Sequence, residues 1–166
     1  MFHASTYEGT REEREQAALS QLQALIEGES STAANLANAS ALLNFYLQDI
    51  NWVGFYLFDG TELVLGPFQG LPACIRIPLG KGVCGTSAAR KETLRIEDVH
   101  AFPGHIACDA ASNSEIVIPL VKDGQLLGVL DIDSPLKGRF SAEDQVFLER
   151  FTDRLTEALH SPLTLF

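Results

Sequence analysis

Basic side chains, cysteine and long apolar runs are all scarce in this 166-residue chain. Twelve Lys and Arg stand against 22 Asp and Glu, a formal charge of -10. That is the wrong sign for tracking phosphate backbones or anionic lipid by counterion release, so no nucleic acid and no membrane are expected as partners. No stretch approaches the roughly 20 apolar residues that span a bilayer. Met1 to Gln16 is polar and has no apolar export segment, so a cytoplasmic protein is expected. Cysteine occurs only three times, and an odd count without an export signal points to thiols kept reduced rather than to structural bridges. What remains is ordinary globular composition, 46% hydrophobic and 20% charged, which excludes disorder and collagen-like repeats. A chain of this length buries roughly two-thirds of its unfolded surface and needs no structural metal to hold a core. The reading is one domain over residues 1–166, with residues 1–10 as a tail.

Apolar positions Ala18, Leu19, Leu22, Leu25 and Ile26 form one stripe between Arg11 and Glu27, the pattern of an amphipathic helix that packs on a sheet or on a partner subunit. That stripe suggests a homodimer. Ser30-Ser31-Thr32 offers N-caps for a second helix with Leu36, Ala39, Leu43, Tyr46 and Leu47 inward. Val53 to Phe58, Asp59-Gly60 and Glu62 to Leu65 read as a hairpin, followed by an extended piece from Cys74 to Pro78. Glycines surround Cys84 just before a helical stretch, and Thr93 to Ile96 is a short strand. Ile116 to Val121 and Leu126 to Ile132 flank Lys122-Asp123-Gly124-Gln125, a second hairpin. Ser-Ala-Glu-Asp from Ser141 is a capping box for a last helix with Phe147, Leu148, Phe151, Leu155 and Leu159 inward. Helices flanking hairpin strands give an α+β fold with a central antiparallel sheet, similar to a GAF domain. Between Glu97 and Ser114 lies a long aperiodic segment, and such loops usually carry function.

Three groups of residues could carry chemistry. The first is the thiols Cys74, Cys84 and Cys108. Free cysteine is most often a small buried hydrophobe, but Cys84 stands near a helix start with Lys81 close by, where dipole and cation favour thiolate. Cys108 lies in the long loop after His105 and beside Asp109. With His100 or His105 the thiols could supply four zinc ligands. Yet spacings of 10 and 24 residues lack the close pairs of structural zinc sites, so no metal and no cofactor are expected. The second group is Glu115, Asp131 and Asp133. The aspartates are two apart and share a strand face, with Glu115 on the neighbouring strand. A solvated strand end is the plain alternative, but Asp131 interrupts an apolar strand, where an acid needs a partner or a ligand. Three carboxylates at one sheet end suit an ammonium-bearing ligand. The third is Trp52 and Tyr56, which either wall an apolar or sulfur-bearing group or simply pack the core.

The stretches Asn51-Trp52-Val53-Gly54-Phe55-Tyr56, Gly66-Pro67-Phe68-Gln69-Gly70, Gly80-Lys81-Gly82-Val83-Cys84-Gly85, Asp98 to Asp109, Ser112 to Pro119 and Gly128 to Ser134 resemble the free methionine-(R)-sulfoxide reductases, GAF-fold enzymes acting on the free amino acid. The resemblance implies that Cys108 attacks the sulfoxide sulfur and becomes a sulfenic acid, that Cys84 resolves it as a disulfide, and that thioredoxin reduces the disulfide. It implies an auxiliary role for Cys74. Glu115, Asp131 and Asp133 would bind the ammonium and protonate the sulfoxide oxygen, with Trp52 and Tyr56 around the methyl-sulfur group. The alternative is a non-catalytic GAF module that binds a small molecule or senses redox state.

Overall fold

A computed structural model describes residues 6–160 and 163; the first five residues of the expected tail lie outside them. Helices α1 (Arg11–Ile26) and α2 (Thr32–Tyr46) come first, then strands β1 (Trp52–Phe58), β2 (Glu62–Gln69) and β3 (Arg76–Pro78). Helix α3 (Gly82–Arg90), β4 (Leu94–Ile96), β5 (Ser114–Lys122), β6 (Gln125–Ser134) and α4 (Ala142–Glu157) complete the order. The strands form one six-stranded antiparallel sheet in the order β3-β2-β1-β6-β5-β4. The expected α+β class is the observed one.

Local chemistry fixes the ends of the elements. Thr10 and Ser141 cap α1 and α4 with complete capping boxes, and Ser31 caps α2 through the Ala34 N–H. Asp123 and Gly124, at φ 52° and 75°, make the two-residue turn between β5 and β6. Strand β2 runs to Gln69 through Gly66 and Pro67, past the expected end at Leu65. It can do so because β3 pairs only with Glu62–Val64, so Pro67 sits on an edge where its missing donor costs no ladder bond.

Each face of the sheet has its own core. Val53, Phe55 and Leu57 of β1, Leu130 and Ile132 of β6 and Ile116 and Ile118 of β5 point to the side covered by α1, α2 and α4, where Leu19, Leu22, Leu36, Leu43, Phe147 and Phe151 are buried with them. The apolar stripe of α1 is used up within this core, so it no longer argues for a partner subunit. On the opposite face Trp52, Tyr56, Val117 and Val129 pack with Ile77, Val83, Cys84 and Ala88 in a smaller core beneath α3. This second face holds the site.

Gly54, on that face, lies opposite Asp131 in the β1–β6 register. A Cβ there would fall 2.2 Å from Phe68 Cβ and 2.7 Å from Phe68 Cα, and Phe68 is stacked on Trp52 at 5.2 Å. Only backbone displacement relieves such contacts, so Gly54→Ala should destabilise by about 1–3 kcal/mol. For a chain this size that lowers Tm by about 2–12 °C. Calorimetry checks it, and an unchanged Tm would refute the packing account.

Among the described residues, no helix is long and apolar enough to cross a membrane.

Candidate active site

The strand register assembles the acids. Glu115 faces Asp133 across β5–β6, and Asp131 faces Val117 on one side and Gly54 on the other. All three carboxylates therefore project from one sheet end onto the face of Trp52 and Tyr56. Glu115 and Asp131 are buried, at 5% and 6% exposure, and the Cys84 thiol on the first turn of α3 donates to Glu115 Oε1 at 3.8 Å. Together with Trp52, Tyr56, Lys81, Val83, His105 and Cys108 they line one cavity, the concave kind of surface that small-molecule sites use.

Burial reshapes the electrostatics. Desolvation, reinforced by the Asp131 and Asp133 charges, holds the Glu115 carboxyl well above the usual carboxylate range. Asp133 is pushed well up by desolvation and then by Asp131 and Asp109. Asp131 is raised by burial, but hydrogen bonds from Glu115 and Cys84 pull the other way. Burial thus opposes the charged form most strongly at Glu115 and Asp133 and least at Asp131. Asp131 Oδ1 is buried with no hydrogen-bond partner, which is costly in a closed site unless a cationic ligand supplies the donor.

Both sulfur-bearing segments are tied to β1. Trp52 Nε1 donates to the Leu71 carbonyl at 3.1 Å and Tyr56 Oη to the Cys74 carbonyl at 2.9 Å, which fixes the path of residues 71–74. Asn51, just before β1, donates through Nδ2 to Asp109 Oδ2 at 2.9 Å and to Ser112 Oγ at 3.1 Å, which fixes the loop carrying Cys108. Cys74 and Cys108, 34 residues apart in sequence, meet in a disulfide at a Cα separation of 5.5 Å. The rings of Trp52 and Tyr56 lie nearly parallel, 5.9 Å apart. Both belong to the small core and line the cavity at once, so the wall reading and the packing reading hold together.

A match to the GAF domain family covers residues 21–159. The chain is 61% identical over 136 residues to free methionine-R-sulfoxide reductase of Escherichia coli, covering 82% of each chain. The chain is a GAF domain protein of the free methionine-R-sulfoxide reductase family. It is also 57% identical over 161 residues to Protein YtsP of Bacillus subtilis, covering 96% of this chain and 99% of that one. An X-ray structure of free methionine-R-sulfoxide reductase from Neisseria meningitidis in complex with its substrate overlays with TM-score 0.88 at 41% identity, covering 95% of both chains.

Three expectations about the thiols change in this member of the family. The cysteines are not all reduced: Cys74 and Cys108 are bridged. The bridge does not join Cys84 to Cys108, because Cys84 is free and buried. Nor does Cys84 favour thiolate. Desolvation, then Asp131, Glu115 and Asp133, raise its pKa well above the ordinary thiol value, outweighing a helix end and an exposed Lys81. Sequence reasoning also gave Asn51 no role. Its signal is its position, one residue before a buried strand end and within reach of the long loop.

Proposed function

We propose that this chain reduces free L-methionine (R)-sulfoxide to L-methionine, acting as a single GAF-like domain over residues 1–166 in the cytoplasm. The observation that carries the reading is a pair of bridged sulfurs, Cys74 and Cys108, at an acid-walled cavity in which Asp131 keeps an oxygen without a partner. The substrate ammonium binds Asp131, and the Trp52 and Tyr56 rings hold the methyl-sulfur end. A peptide-bound residue presents a neutral amide there and leaves the buried acid uncompensated, so the free amino acid is preferred.

The Cys108 thiolate attacks the sulfoxide sulfur as Glu115, opposite Asp133, gives its proton to the sulfoxide oxygen. The S–O bond of the substrate breaks and the oxygen ends on Cys108 as a sulfenic acid. Methionine leaves reduced by two electrons and Cys108 is oxidised by two. The Cys74 thiol then displaces the sulfenic hydroxyl as water and closes the disulfide. Both bridged cysteines are only half-buried, which leaves them open to a dithiol reductant of the thioredoxin class that returns two electrons by exchange. Every residue used lies in one chain, so a homodimer would add no group to the chemistry.

The test incubates the protein with racemic free methionine sulfoxide and a thioredoxin system and follows each epimer by chromatography. Loss of the R epimer with matching methionine is expected. A non-catalytic module or redox sensor would leave both epimers untouched.

A further inference from the structure

We propose that the acid wall is also a binding site for a soft divalent cation, best suited to Zn²⁺, held by Cys84, Glu115 and Asp131, and that the bound metal excludes the amino-acid ligand. The three side chains come from α3, β5 and β6, and one ligand atom of each lies within 4.8 Å of the other two. Cys84 Sγ and Glu115 Oε1 stand 3.8 Å apart. A tetrahedral Zn²⁺ with Zn–S of about 2.3 Å and Zn–O of about 2.0 Å spaces such a pair at ~3.5 Å, so Cys84 and Glu115 need move by only a few tenths of an ångström, and Asp131 closes in from within 4.8 Å. All three residues are more than nine-tenths buried.

The second observation is the Asp131 Oδ1 atom, shut away from solvent and without a hydrogen-bond partner. A buried carboxylate oxygen left open in this way calls for a positive charge at that spot. The donor set decides which charge fits. Mg²⁺ and Ca²⁺ take six or more oxygens and have no use for a thiolate, whereas Zn²⁺ is satisfied by four sulfur, nitrogen or oxygen ligands. The fourth position is left for Asp133, which faces Glu115 in the strand register, or for water. The ligands come from three separate elements and form no close cysteine pair, so no zinc-knuckle spacing marks them in the sequence. On ligation the Cys84 S–H bond and the Glu115 O–H bond break, both protons go to solvent and no redox change occurs. Exclusion follows because the metal would occupy the charge well assigned above to the substrate ammonium. That clause rests on the proposed function; metal binding itself does not.

The experiment uses the full chain with the Cys74–Cys108 bridge intact, in which Cys84 is the only free thiol, and titrates it with Co²⁺ as the probe before displacement by Zn²⁺. One equivalent of Co²⁺ should give tetrahedral d–d absorption and a sulfur-to-cobalt charge-transfer band, and free methionine should compete with it. Cys84→Ser should lose the charge-transfer band, and Glu115→Gln should weaken Zn²⁺ at least tenfold against a chromophoric chelator. Wild-type protein without a charge-transfer band overturns the site directly, whether or not the variants fold. A band surviving in Cys84→Ser, or Zn²⁺ affinity untouched by Glu115→Gln, also overturns it. Metal bound through Cys84 but indifferent to saturating methionine overturns the exclusion and leaves the reductase reading to its own turnover assay.

Discussion

Cys108→Ser should release no methionine from free methionine sulfoxide with any reductant, because in the proposed mechanism only the Cys108 thiolate attacks sulfur and a serine hydroxyl cannot replace it. Cys74→Ser fails differently. Its nucleophile is intact, so one methionine per chain appears in a single turnover, after which the sulfenic acid on Cys108 has no partner and thioredoxin finds no disulfide. Cys84→Ser continues to turn over with thioredoxin, since Cys84 takes no part in the bridge and a hydroxyl still donates to Glu115. Quenched-flow measurement of methionine, normalised to chain concentration, separates none, one and many. A single-turnover phenotype in Cys84→Ser, with Cys74→Ser active, would restore the pairing that the resemblance alone implies. Equal inactivity of Cys108→Ser and Cys74→Ser would remove the division between attacking and resolving thiols.

Why the thiol roles were harder to read than the acids follows from where each signal lives. The carboxylates lie on two strands joined by an Asp-Gly turn, so alternation puts Asp131 and Asp133 on one face and the turn brings Glu115 near them, while a one-residue shift in register between Leu120 and Val121 sets Glu115 opposite Asp133. The helices were legible in the same way, the first from its apolar stripe and the others from stripes together with the caps at Ser31 and Ser141. The partner of Cys108 depends instead on the paths of two irregular segments. Those paths are set by single hydrogen bonds from Trp52, Tyr56 and Asn51 to residues 18 to 61 positions away, for which no local pattern exists. The protonation of Cys84 fails for a related reason. Lys81 and the start of α3 are visible beside it in sequence, whereas Glu115, the acid it touches, is 31 residues distant. Burial beside that wall then outweighs the local dipole. Nearby sequence indicates which charges are adjacent along the chain, and the sheet decides which are adjacent in space.

Glu115→Gln should lower kcat/KM for free methionine sulfoxide by about 10²–10⁴-fold, the usual contribution of a positioned general acid and the role proposed for Glu115, while leaving the protein at least as stable as before. The two halves of this expectation have one origin. The Glu115 pKa stands well above the ordinary value because burial and the neighbouring aspartates penalise its charged form, so the folded chain binds this proton more tightly than the unfolded chain does. A raised folded pKa means that the contribution to stability is complete below the ordinary carboxylate range and is lost as pH rises through the shifted value. Wild-type Tm should therefore fall on that alkaline side. Glutamine keeps the size and the hydrogen bonding of the protonated acid but cannot ionise, so Glu115→Gln should flatten part of the fall and match or exceed the wild-type Tm there. Turnover moves the opposite way, because the amide has no acidic proton to give to the sulfoxide oxygen. In the wild type kcat should decline as pH rises through the same ionisation, and this limb should be missing from the residual activity of Glu115→Gln. Calorimetry and initial rates over one pH series test both halves. A variant that loses stability together with activity would make Glu115 a structural acid, and one that keeps wild-type kcat would pass the proton to Asp133, the residue facing it across the strands.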